Sequence, residues 1–106
     1  MPKYLWKGNY SPDGAKGLIK EGGTARVKAV EQLLQSAGGK LDAYYYALGE
    51  HDAYLIVDLP SNAAAAAVGM AIAAAGVTRI QTIALLTMEE VDKAAKMPVR
   101  YRPPGT

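Results

Sequence analysis

With 106 residues, 50% hydrophobic and 21% charged, the chain has the size and composition of one globular domain, too short for two cores and too apolar to stay disordered. Its formal charge of +2, with acids and bases interleaved, creates no field to gather nucleic acid or anionic lipid, and the absence of cysteine excludes disulfides, thiolate metal sites and thiol catalysis. The N-terminal Met1-Pro2-Lys3-Tyr4-Leu5-Trp6-Lys7 lacks a signal peptide's apolar stretch, and the longest apolar run, Ala63 to Ala75, is too short and alanine-rich to span a bilayer, so a cytoplasmic protein with no membrane or nucleic-acid partner is expected.

Tyr4 to Tyr10 alternates Tyr4, Trp6, Gly8 and Tyr10 with Leu5, Lys7 and Asn9, the period of two that a strand requires. Ser11-Pro12-Asp13-Gly14 supplies a hydroxyl cap followed by proline at the first helical position, so the segment to Lys20 reads as a short helical turn, interrupted at Glu21-Gly22-Gly23. From Thr24 onward Val27, Val30, Leu33, Leu34 and Ala37 recur at helical spacing, and Gly38-Gly39 ends that helix. Leu41 to Leu48 and Ala53 to Leu59 form an antiparallel hairpin around Gly49-Glu50-His51-Asp52. Pro60-Ser61-Asn62 then offers two candidate caps for an alanine-rich helix running to about Ala75, with Gly76 as its stop. Val77 to Leu86 is strand-like, and Thr87-Met88-Glu89-Glu90 has capping-box spacing for a short C-terminal helix reaching about Lys96. Pro98, Pro103 and Pro104 keep residues 97–106 extended; with Arg100 and Arg102 they form a basic tail, loose or laid over a neighbouring subunit.

The order βαββαβ predicts an α+β, ferredoxin-like domain over residues 1–96: a four-stranded antiparallel sheet with its helices on one face. The middle strands are apolar in both registers, whereas a sheet wet on one side alternates with polar residues. The uncovered face is therefore expected to pack against a second copy, making the protein a homodimer or a higher homo-oligomer. Seven tyrosines and one tryptophan, with no phenylalanine, suit such half-wet interfaces and pockets, because a buried tyrosine hydroxyl still needs a partner.

Together these segments resemble the GYD domain family, named for a Gly-x-Tyr-Asp-like signature that stands here as Gly49-Glu50-His51-Asp52, with His51 in the place of the tyrosine. The Ser11-Pro12-Asp13-Gly14 helix start, Arg26, Gly38-Gly39-Lys40, Tyr44-Tyr45-Tyr46, Pro60, Gly76-Val77 and Thr87-Met88-Glu89-Glu90 extend the resemblance over about residues 3–95. It implies a dimeric α/β-barrel in which two sheets face each other across a cavity, without implying a particular activity. The hairpin is also similar to one in the ligand-binding domain of leucine-responsive regulators, whose DNA-binding half has no counterpart here.

Two kinds of site are read from the residues. Gly49 in a left-handed conformation and Asp52 accepting N–H groups across the turn would make the signature hairpin geometry alone. Alternatively His51, the only histidine, flanked by the carboxylates of Glu50 and Asp52, serves as a catalytic base. No second histidine or cysteine completes a coordination set, so neither metal nor cofactor is expected. Trp6, Tyr44, Tyr46 and Tyr54, with Tyr4, share a face in one register; with His51 and Asp52 they are the candidate ligand-binding residues of a sheet-to-sheet cavity. Plain dimer packing is the competing reading. Leu5-Trp6-Lys7-Gly8-Asn9-Tyr10 is faintly similar to the first-strand motif of RNA-recognition domains, but Asp52 to Val57 carries one aromatic and an acid where stacking residues belong. The expected function is small-molecule binding at a homo-oligomeric interface. The alternatives are a cofactor-independent monooxygenase- or isomerase-like enzyme with His51 as base, and a structural or regulatory oligomerisation module without a ligand.

Overall fold

Alternation in Lys3–Tyr10 turns Tyr4, Trp6 and Gly8 inward, and this strand, β1, lies at the centre of the fold. The computed structural model describes residues 1–106. After β1 come α1 (Pro12–Glu21), α2 (Gly23–Ser36), β2 (Lys40–Tyr46), β3 (Ala53–Asp58), α3 (Asn62–Ala75), β4 (Thr78–Leu85) and α4 (Met88–Ala95). The strands form one open antiparallel sheet in the order β2-β3-β1-β4. This is the expected α+β, ferredoxin-like plan. No helix is long and apolar enough to cross a membrane.

The segment after Ser11 is a full helix of ten residues rather than a short turn. Ser11 accepts a hydrogen bond from the Gly14 N–H and Pro12 occupies the first turn, where its missing N–H costs nothing. Ser61, not Asn62, caps α3, and Gly76 closes it at φ 77°. In α4 the Thr87 hydroxyl and the Glu90 carboxylate satisfy each other's backbone N–H groups, completing the capping box.

The core forms where α2 and α3 cover one face of the sheet. Val30 and Leu34 from α2, and Ala65 and Val68 from α3, pack with Leu59 onto Tyr4, Trp6, Ala53, Leu55 and Val57. Leu34, Val57 and Leu59 are completely buried. The alanine run lets α3 lie close to the sheet, and the Tyr4 hydroxyl fastens its first turn by bonding Asn62 Oδ1 at 2.6 Å.

The opposite sheet face carries Leu5, Tyr45, Tyr54, Ile56, Ile83 and Leu85 and has no helix over it. It is apolar at its centre and charged at one end. There Lys3 bridges Asp42 and Asp58, its ammonium lying 2.8 Å from the Asp58 carboxylate, with Lys40 3.7 Å from the same group. The bonds to Asp42 and Asp58 raise the Lys3 pKa, and the Lys3 bond lowers that of Asp42. Every residue from Leu86 onward is exposed, and α4 packs substantially against no other element. The radius of gyration is accordingly 17.0 Å, against about 13 Å for a compact domain of this length.

Candidate functional site

The β2–β3 hairpin is held differently from a tight turn. Gly49 does not adopt a positive φ, so the expected left-handed glycine is absent. Residues 47–52 form a longer loop, closed by the Ala47 N–H donating to the Asp52 carbonyl at 2.7 Å. The Asp52 carboxylate does accept a backbone N–H, but from Tyr10 on the neighbouring strand, at 3.0 Å. Asp52 also donates its own N–H to the Gly8 carbonyl at 2.9 Å. Its side chain thus continues the β1–β3 ladder beyond the last paired residues, satisfying an N–H at the end of β1.

His51 is not oriented by Glu50 or Asp52. Its Nδ1 lies 2.9 Å from Asn9 Oδ1, while Asn9 Nδ2 donates to the Glu50 carbonyl at 3.1 Å. With the amide nitrogen so committed, Asn9 presents its oxygen, and Nδ1 of His51 carries the proton. In the neutral ring Nε2 is then the free base. The ring meets that of Tyr54 edge-on, with centroids 6.0 Å apart. The pair lies on the open face of the sheet, since Tyr54 is opposite Lys7 and Tyr45.

The aromatic candidates do not share one face. Trp6, Tyr44 and Tyr46, with Tyr4, point to the helix layer; Tyr54 points the other way. The sheet therefore separates His51 and Tyr54 from Trp6, Tyr44 and Tyr46. Pairing decides this: Tyr44 is opposite Leu55 and Tyr46 opposite Ala53, both core residues. A bulge between Leu41 and Ala43 breaks the alternation of β2, turning Leu41 to the same side as Tyr44.

On the helix side Tyr44 and Tyr46 border a cleft of about 640 Å³ between α1, the start of α2 and the β2 edge. Leu18, Ile19, Val27 and Tyr46 supply apolar and aromatic walls, while Tyr10, Arg26 and Tyr44 supply polar groups. Those three also line a smaller inner cavity of about 40 Å³, bounded by Trp6, Gly8 and Ala53 among others. Gly8 and Ala53 lie opposite each other across β1 and β3 and place almost no side chain there, which leaves the space open.

The Tyr10 and Tyr44 hydroxyls are 2.8 Å apart. Burial pushes the Tyr10 pKa well up, the Tyr44 hydroxyl adds to the rise, and Arg26 opposes it only in part. Tyr10 is therefore a neutral phenol at physiological pH. One hydroxyl of the pair donates to the other, whose own hydrogen is left to point elsewhere. Arg26 has only a loose partner, Glu21, at 3.7 Å. Trp6 is 2% exposed, and its indole N–H is buried without any hydrogen-bond partner.

Tyr10 and Arg26 are missing from the candidates drawn from sequence. The signal for Arg26 lies in the spacing of α2: it precedes Val30 by four residues and Leu34 by eight, so a cation sits on the stripe that faces the core. Tyr10 belongs to the same alternating series as Tyr4 and Trp6.

No curated protein and no solved structure matches the chain. The GYD domain model matches residues 4–95, from the first core tyrosine of β1 to the end of α4, and on that match the chain belongs to the GYD domain family.

Proposed function

We propose that this GYD domain protein binds a small molecule in the cleft between its helix layer and its sheet, and that it does so as a cytoplasmic homodimer joined through the open sheet face. The observation that carries the first part is the meeting of Tyr10, Arg26 and Tyr44 at the boundary between an apolar cleft and an inner cavity. Binding sites of this kind are mostly apolar, with a few convergent polar groups that fix orientation. Trp6, Tyr44 and Tyr46 favour this side of the sheet over a cavity enclosed between two sheets, because their rings face the helices.

Native mass spectrometry of the purified protein, followed by a fragment screen read from Trp6 emission, tests the reading. Bound compounds should perturb Trp6, the sole tryptophan, and Tyr44→Phe should weaken them. A screen in which ligands act only when the open face is intact would move the site to that face.

The dimer is supported by the apolar open face, on which Tyr45 of the edge strand β2 is 72% exposed beside Tyr54. Sedimentation analysis should give twice the chain mass, reverting toward the single-chain mass in Tyr45→Glu. A monomeric wild type removes this part of the proposal and leaves the cleft untouched.

A further inference from the structure

The cleft is one-sided in charge, and its hydroxyls, from Thr24 and three tyrosines, can donate as well as accept. Arg26 is the only charged residue lining either the cleft or the inner cavity, and no carboxylate lines them. Gly23 and Thr24, the first two residues of α2, also line the cleft. This helix has fourteen residues, no side chain caps its first turn, and no acidic residue stands there. An uncapped helix N-terminus leaves backbone N–H groups without acceptors and a partial positive charge, the usual setting for an anion. Independently, Trp6 lines the inner cavity and its N–H is buried and unpartnered, and a buried donor in that state is costly unless an acceptor reaches it.

Resting on the reading of the cleft as a ligand site, we propose that its ligand is a small organic monoanion of the carboxylate class with an apolar or aromatic body. The anionic group lies between Arg26 and the start of α2, in the cleft that Tyr10 and Tyr44 also line. The body rests against Leu18, Ile19, Val27 and Tyr46. The inner cavity is too small for the body, but it has room for one water or one acceptor atom to meet Trp6. Glu21 is the competitor: 3.7 Å from Arg26, it holds the guanidinium while the cleft is empty and yields it to the ligand.

The test compares benzoate with its neutral isostere benzamide, by calorimetry and by Trp6 emission, on the full chain. Benzoate should bind more tightly than benzamide. Arg26→Gln should weaken benzoate about tenfold and leave benzamide nearly unchanged, as expected for loss of one charge-assisted contact at a partly exposed site. Glu21→Gln should tighten benzoate about two- to threefold by removing the competing carboxylate. Equal binding of the two probes, with both variants indifferent, would overturn the anion assignment while leaving the cleft as a ligand site. If neither probe perturbs Trp6 or releases heat, the ligand-site reading fails and this inference falls with it. Circular dichroism establishes that the variants are folded; Glu21, at the exposed end of α1, provides the second variant should Arg26→Gln not fold.

Discussion

Two glycines of α1 should respond to the same substitution with opposite signs. A Cβ on Gly14 would lie 2.1 Å from the Val77 carbonyl oxygen, 3.1 Å from its carbon and 3.3 Å from the Tyr10 ring. Since carbon and oxygen approach no closer than about 3.3 Å even in favourable C–H···O contacts, the first turn of α1 must move by roughly 1 Å. The same carbonyl accepts from the Ser11 N–H at 3.0 Å and the Ser11 hydroxyl at 3.2 Å, so relief of the clash stretches both bonds that tie α1 to the start of β4. Their loss costs about 1 kcal/mol each, the residual overpacking about 1–3 kcal/mol, and alanine's better helix propensity returns up to about 1 kcal/mol. Gly14→Ala should therefore destabilise by about 2–4 kcal/mol. Gly17 has nothing within 4 Å of the same added atom, so Gly17→Ala should stabilise by about 0.5–1 kcal/mol. Urea denaturation followed by Trp6 emission reads both. Equal stability of Gly14→Ala and wild type, or comparable losses in both variants, would refute the close packing of α1 on Val77.

Other expectations concern the sheet. Asp52→Ala should cost about 1–3 kcal/mol and strip hydrogen-exchange protection from the Tyr10 amide, whereas Asp52→Asn, which keeps an acceptor, should retain most of both. Asp42, held below its ordinary 3.8 by the Lys3 bond, contributes stability above that value that fades as pH falls through its lower folded pKa. Lys3, raised above 10.5 by Asp42 and Asp58, contributes stability below that pH that is lost as pH rises through its higher folded pKa. Denaturation midpoints of Asp42→Asn should accordingly show a weaker acid-side decline than wild type. In an alkaline titration of tyrosinate absorbance Tyr10 should ionise above its ordinary 10.0, and Tyr44→Phe should bring its midpoint down. Because the Tyr10 pKa is raised, its contribution to stability is present below pH 10.0 and is lost on the alkaline side.

Much of the fold was legible because local rules agreed with one another. Caps at Ser11, Ser61 and Thr87, stops at Gly38 and Gly76, and alternation in β1 and β3 bounded the elements independently. The span of α1 was read to within one residue, but only as a helical turn, because Gly14 and Gly17 weaken helical propensity and no residue is buried; packing at its start against Val77 supplies what the pattern lacks. The site was less legible. Faces within a strand follow from alternation, but which residues of two strands stand together depends on register, and a loop of residues 47–52 leaves register open where a tight turn would set it. The bulge at Asp42, which strict alternation does not foresee, turns Leu41 to the side of Tyr44. Tyr54 was thus grouped with Trp6 although the sheet divides them. The partner of His51, Asn9, lies forty-two residues away, beyond the reach of any local pattern.

The arm formed by α4 and the tail bears on how the molecule melts. Its capping box satisfies α4 from within, yet an eight-residue helix standing alone in water is marginal. Its backbone can open without disturbing Leu34 or Val57, so the chain holds at least two units of different cooperativity. Helical ellipticity and Trp6 emission should then part company ahead of the main transition. In a dimer that pins the arm the gap between the two curves would narrow as protein concentration rises, turning a melting experiment into a measure of assembly.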